Sequence, residues 1–267
     1  MRLTRSIMDL ITVRETRVAR SRADLLLGPG ERWLGGGTWL FSEEQPGLTG
    51  LVDLTSLDWE PVTRTNDALV IGATCPIGTV RELTDSPLFH QCADSLLASW
   101  KIQRIATIAG NICMALPAGA MTSLAVALDA TALVWSPDGS ERRIPVHALV
   151  TGVQSTTLEL GEVVRSIEFP HTMLASRTGF RRIALSPLGR TGTLVTGRVD
   201  TSGIAVFAIT GGTEAPHRLA FDALPSEPEL AASIDTIPDW YDDAHGSPDW
   251  REAMSRRFAE QLRQELA

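Results

Sequence analysis

Three consecutive glycines, Gly35-Gly36-Gly37, set between Leu34 and Thr38-Trp39-Leu40, constrain this chain more than any other stretch. A run without side chains is costly in a folded protein unless the backbone must turn sharply or lie close against something. A second small-residue turn lies far downstream at Thr107-Ile108-Ala109-Gly110-Asn111, ahead of an apolar run with helical character over residues 122–130. Such turns expose backbone N–H groups, and N–H groups near the start of a helix can cradle an anion such as a phosphate. Either turn alone is also an ordinary tight bend. Two in one compact domain can converge on one ligand, and a pyrophosphate, with two charged groups, is the obvious candidate. No G-x-G-x-x-G stands at a strand–helix junction, and no Gly-Lys-Ser/Thr follows the glycines, so neither dinucleotide fingerprint nor P-loop is present.

Local patterning places the two turns. Trp33 and Leu34 read as a strand feeding the glycines, after a short strand and a helix-poor connector, with Ser21-Arg22-Ala23-Asp24 capping a short helix over residues 25–27. Buried strands are expected at residues 50–54 and 68–73. Helices are expected from residue 79, broken by Pro87, and from 88 through 100, with Leu96 and Leu97 facing inward. Strands at 131–135 and 163–169 flank a Pro137-Asp138-Gly139 turn, and residues 170–178 read as a linker. Three further strands follow, at 180–185, 193–199 and 204–209. A last helix begins after Ser247, with Met254, Phe258, Leu262 and Leu266 at helical spacing.

The 267 residues suffice for two domains, and a net charge of −8 disfavours nucleic acid and anionic membrane as partners. The arginine-rich start has its only apolar stretch, residues 7–13, interrupted by Asp9, which reads as a basic domain edge rather than a targeting segment. Cys75, Cys92 and Cys113 are odd in number and far apart, which fits a reducing cytoplasm and excludes a self-contained iron–sulfur site. The five histidines show no metal-ligand spacing, and no carboxylate pair stands out as acid and base.

Both loops, together with Ala115-Leu116-Pro117-Ala118, Leu128-Asp129-Ala130, and Gly161-Glu162 followed by Ser166-Ile167-Glu168-Phe169-Pro170, make the chain resemble a known family. It resembles the medium, FAD-binding subunit of the molybdenum hydroxylases, the xanthine dehydrogenase and carbon monoxide dehydrogenase group. The first loop matches that family's Ala-Gly-Gly-x-Ser/Thr/Asp and the second its Thr-Ile-Gly-Gly-Asn. The resemblance runs nearly end to end and implies an α+β chain. Residues 1–170 would form a two-subdomain FAD-binding fold of the PCMH/vanillyl-alcohol-oxidase type, divided near residue 54. Residues 171–267 would form a small C-terminal domain with a three-stranded antiparallel sheet and helices.

Carried over position by position, the resemblance implies that Leu34, Gly35, Gly36, Gly37, Thr38, Trp39 and Leu40 wrap the FAD pyrophosphate. Thr107, Ile108, Ala109, Gly110 and Asn111 would approach from the other side. Met114 would be a further flavin neighbour and Val164 would lie against the ring. Arg181 or Arg182 would set a cation near the ring's pyrimidine end. Three positions depart from the family pattern: Ala120 stands for an aspartate, Ala109-Gly110 for Gly-Gly, and Gln103-Arg104 for Arg-Asn. The implied function is electron relay in an oxidoreductase. A small subunit with [2Fe–2S] clusters would pass electrons from a molybdopterin-binding large subunit to FAD, and onward to NAD or another acceptor. A stand-alone FAD-dependent reductase, such as the enolpyruvyl reductase of cell-wall synthesis, would need a catalytic Ser/Glu arrangement that the C-terminal part does not display. A scaffold that has lost FAD is the third reading, suggested by Ala109 and Ala120.

Overall fold

Strands that all run one way bring their C-terminal ends, and the loops that follow, to one side of a sheet. The first sheet of the chain is built in this way. In the computed structural model, which describes residues 10–267, β1 (Glu15–Val18), β2 (Glu31–Leu34) and β3 (Gly50–Asp53) pair in the order β1-β3-β2, all parallel. Central β3 buries Leu51 and Val52. The Leu54 N–H donates to the Leu34 carbonyl at 2.9 Å, fixing the point where the glycine loop departs. The turn expected at Ser21 forms one step early, as a 3-10 turn over Arg22–Asp24. The Asp24 carboxylate accepts the N–H groups of Arg20 and Ser21 there, and nothing extends the helix over residues 25–27. Arg2, Arg5 and the beginning of the apolar stretch at 7–13 fall outside the described residues.

The second sheet is antiparallel. It takes β4 (Val62–Arg64), β5 (Ala68–Gly72), β6 (Thr131–Trp135) and β7 (Glu141–Pro145). After a small hairpin, β8 (Val150–Gly152) and β9 (Ser155–Thr156), it closes on β10 (Val163–Pro170). The order β4-β5-β10-β6-β7 puts β10 in the middle, and its pairing with β6 slips by one residue between Val164 and Ser166. That bulge strengthens the local twist and re-aims Val164. The Pro137-Asp138-Gly139 turn therefore joins β6 to β7, a strand the sequence reading leaves out.

Five helices lie between β5 and β6: α1 (Ile77–Arg81), α2 (Pro87–Ser95), α3 (Trp100–Ile105), α4 (Ile108–Cys113) and α5 (Ala120–Ala127). Every residue of α5 is buried, as its small and apolar composition requires of a central helix. Pro87 starts α2 rather than breaking a helix, because a proline at the first helical position has no N–H to lose. The helix expected through residue 100 ends at Ser95. Leu97 takes a left-handed φ of 52° and faces solvent, and α3 begins afresh behind a Ser99 cap. Two single-turn helices, α6 (Val146–Leu149) and α7 (His171–Leu174), lead out of β7 and β10.

The C-terminal part carries β11 (Arg177–Ile183), β12 (Thr193–Val199), β13 (Ala205–Thr210) and β14 (His217–Phe221), each antiparallel to the next. The sheet thus has four strands where the sequence suggests three. Beyond α8 (Glu227–Asp235), α9 (Pro248–Leu266) packs Phe258, Ala259 and Leu262 with Val195 and Phe207 of the sheet. A polar clamp ties this sheet to α5. Asp129, in a left-handed turn just past the helix, accepts Nε and Nη2 of Arg218 at 2.5 and 2.8 Å and also pairs with Arg198, itself only 2% exposed. The Leu128-Asp129-Ala130 motif finds its structural use here.

Candidate functional site: a glycine-walled cleft between two sheets

Both small-residue turns meet at one cleft. The glycine loop leaves β2, and the second turn is pinned to the end of β5. The Ile108 N–H donates to the Cys75 carbonyl at 3.0 Å, and the Ala109 N–H donates to the Ala73 carbonyl at 3.2 Å. Thr107 caps α4, its hydroxyl accepting the Gly110 N–H at 3.1 Å. The two turns then touch. A Cβ on Gly35 would lie 2.9 Å from the Thr107 hydroxyl, and one on Gly36 would lie 1.8 Å from the Ile105 carbonyl oxygen. Gly37 has φ +70°, a conformation that a residue with a side chain adopts only with strain. The glycines are therefore required by close approach at one position and by backbone conformation at the next.

The cleft measures about 440 Å³. The glycine loop and its flanks contribute Arg32, Trp33, Gly35, Gly36, Gly37, Trp39 and Leu40, and the second turn contributes Thr107, Ala109, Gly110, Cys113 and Met114. Val163 and Val164 of β10, with Leu27, Leu54 and Leu158, give it an apolar side, and Ala73, Thr74, Gln154 and Glu162 complete the lining. None of the backbone N–H groups of residues 35–40 donates to another group of the described chain. Buried or half-buried amides left open in this way ask for an acceptor. A loop offering consecutive free N–H groups suits the oxygens of a diphosphate without any lysine.

Charge in the cleft is controlled. The Glu162 carboxylate, which would repel an anion, is bound by Arg142 through Nε at 2.8 Å and Nη2 at 2.6 Å and also accepts the Glu159 N–H at 2.8 Å. The Arg142 guanidinium holds Glu162 ionised down to about 2. Arg32 is the cation that lines the cleft, its guanidinium donating to Gln45 at 3.1 Å. Burial pushes the Cys113 thiol up to about 12, so this cysteine is a neutral small hydrophobe rather than a nucleophile. Among the described residues no cluster of His, Cys, Asp or Glu could hold a metal ion.

Of the residues expected from sequence, Gly35, Gly36, Gly37, Trp39, Leu40, Thr107, Ala109, Gly110, Met114 and Val164 line this cleft. Leu34 ends β2, Thr38 sits in the turn away from the lining, and Ile108 is wholly buried in the core. Asn111 lines a neighbouring polar cavity of about 740 Å³ that shares Trp39 and Gln154 with the first. Its side-chain oxygen accepts the Met121 N–H at 2.9 Å, capping α5. Arg181 and Arg182 line neither cavity. Arg181 pairs with Glu265 of α9 at 2.5 Å, and Arg182 donates to Thr191 at 2.7 Å and the Gly189 carbonyl at 2.5 Å. The cation lining the second cavity from that region is Arg190. Ala120 is wholly buried, so this residue presents nothing to either cavity.

Sequence reasoning passed over Trp33, Leu54, Gln154 and Leu158 as cleft residues. Trp33 carried a signal, since a tryptophan on the strand feeding the loop needs a partner for its N–H; it donates to the Glu162 carbonyl at 2.8 Å. Gln154 owes its place to a left-handed turn (φ 53°) between β8 and β9 that no glycine announces.

Residues 10–172 match the family described as "FAD binding domain in molybdopterin dehydrogenase". The chain belongs to that family. It is accordingly a flavoprotein of the oxidoreductases, and FAD is the cofactor for which its N-terminal part is built. Among curated proteins none matches the sequence. Solved structures agree in fold along nearly the whole chain. Carbon monoxide dehydrogenase from Hydrogenophaga pseudoflava superposes with TM-score 0.81 at 18% identity, covering 95% of this chain and 97% of that one. Reconstituted CO dehydrogenase from Oligotropha carboxidovorans gives 0.80 at 22% identity, covering 96% and 98%. Quinoline 2-oxidoreductase from Pseudomonas putida 86 gives 0.76 at 20% identity, covering 94% and 96%. The fold is thus the expected two-subdomain FAD-binding architecture followed by a small antiparallel sheet with helices.

Proposed function

We propose that this chain is the electron-transfer subunit of a heteromeric, molybdopterin-dependent dehydrogenase or hydroxylase. Electrons from [2Fe–2S] clusters on a small subunit would reach FAD held in the glycine-walled cleft and leave for NAD or another acceptor, in the cytoplasm. Substrate would be oxidised in a molybdopterin-binding large subunit. The observation that carries this reading is the convergence of Gly35, Gly36 and Gly37 with Thr107 and Gly110 on one cleft. There the N–H groups of residues 35–40 donate to nothing else in the described chain, while those of the second turn are held by Cys75, Ala73 and Thr107.

FAD supplies the redox chemistry when bound, and the chain supplies position and electrostatics. Residues 35–40 donate N–H groups to the pyrophosphate, with the Thr38 hydroxyl at the edge of the same turn. Thr107, Ala109 and Gly110 form the opposite wall, with Leu34 and Ile108 as the fixed bases of the two turns. Trp33, Leu54, Met114, Val163 and Val164 exclude water beside a planar ring. Asn111 lines the second cavity, which leaves room for the dinucleotide to extend past Trp39. Arg181 and Arg182, one paired with α9 and the other holding the loop that carries Arg190, act on that cavity from outside it. The reading is tested by purifying the assembled complex through a tag on this chain and measuring flavin, iron and molybdenum. Near-stoichiometric flavin with co-purified iron and molybdenum is expected. A complex without flavin would refute it.

A further inference from the structure

Helix α3 stands apart from the other α-helices of the described residues, because none of its residues is buried. It is held by its backbone instead. The Ile105 carbonyl lies against Gly36, and the Ala106 carbonyl accepts the Ile77 N–H at 2.8 Å. That arrangement leaves apolar side chains in solvent: Trp100 is 64% exposed and Ile105 51%, with Ile102 and Leu97 also exposed. Lys101 and Arg104 rise beside them, each with its charge over the Trp100 ring, at 5.7 and 5.8 Å from its centroid. Neither makes an ion pair among the described residues, whereas most arginines of this acidic chain do. Lys101 is also the only lysine in the sequence.

A tryptophan flanked by cations and aliphatic side chains, fully outside the core, has the composition of a protein-binding hot spot. Two unpaired cations on a chain of net charge −8 call for an acidic partner, and they argue against self-association of two such faces. Because α3 abuts the glycine loop through Gly36, whatever docks there sits directly behind the cofactor cleft. We propose that the exposed face of α3, centred on Trp100 with Lys101 and Arg104, docks an acidic surface of the electron-donating iron–sulfur subunit. The inference rests on the electron-relay reading above.

The solitary lysine makes the test sharp. Zero-length carbodiimide coupling of the purified complex joins a lysine amine to a carboxylate only in direct contact. The expected product is a Lys101 cross-link to an Asp or Glu of the iron-containing subunit, absent in Lys101→Arg. The double substitution Lys101→Glu with Arg104→Glu is expected to lower co-purified iron about tenfold, and Trp100→Ala to lower it severalfold. Flavin content of all three variants stays at the wild-type level, because these side chains face solvent. Unchanged iron in the double variant, a Lys101 cross-link to a second copy of this chain, or binding of the chain to anionic vesicles through this face would overturn the proposal. A wild-type complex with flavin but no iron would overturn the electron-relay reading and the proposal together. Loss of iron with loss of flavin would mark a folding defect and count against the docking surface.

Discussion

The carbonyl oxygen of Ile105 occupies the space that a side chain on residue 36 would need, 1.8 Å from the position of a Cβ on Gly36. This is the tighter of the two approaches that join the glycine loop to the second turn, and it is made by backbone on both sides. Gly36→Ala therefore forces the loops apart. We expect FAD affinity to fall about tenfold or more, equivalent to ~1.4 kcal/mol, in a fluorescence titration of the deflavinated protein. Gly152→Ala, where the nearest neighbour is Ser155 Cβ at 3.8 Å, serves as the control and keeps wild-type affinity.

Thr107 holds the second turn through its cap on Gly110. Thr107→Ala is expected to cost about 1 kcal/mol of stability in urea denaturation and to weaken FAD binding, while Thr107→Ser keeps the cap and stays close to wild type.

Asp129 is the shared acceptor of Arg198 and Arg218. Asp129→Ala leaves a nearly buried guanidinium without its carboxylate, at an expected cost of about 3–5 kcal/mol in the same denaturation experiment. The cleft residues do not touch this clamp, so FAD bound to the remaining folded protein should be held as tightly as before.

Acid sensitivity follows from two carboxylates. Glu31, bound by Arg17, and Glu162, bound by Arg142, are both held down to about 2. Their folded values lie below the unfolded ones, so the unfolded chain takes up protons first as pH falls. The stability they contribute is present in full above about pH 4.5 and is lost between there and pH 2. Glu162→Gln should flatten part of that loss in a stability–pH profile, at the price of lower stability at pH 7.

Much of this architecture is legible in the sequence, for a physical reason. A turn that must do without side chains writes itself as glycine, and buried β3, β5 and β10 write themselves as apolar runs. The edge strands do not. In β7, Arg142 and Arg143 reach out to Glu162 and Glu168, so a half-solvated strand reads as a charged loop. At the other end of the chain, β14 pairs among the described residues only with β13, and it carries His217 into a hydrogen bond with Asp239 and Arg218 into an ion pair with Asp129. The break between α2 and α3 depends on Leu97 in a left-handed conformation, which neither glycine nor proline announces. In the cleft, the wall given by contiguous motif residues was readable, whereas Leu54, Gln154 and Leu158 arrive from separate elements and owe their place to tertiary packing.

The central claim is that side-chain-poor loops grip the charged middle of the dinucleotide. Titration of the deflavinated protein with FAD and with riboflavin, which carries the same ring but no phosphate, tests it most directly. The account predicts that FAD binds about a hundredfold or more tighter, a margin of at least ~2.7 kcal/mol. Equal affinity for the two ligands would contradict it.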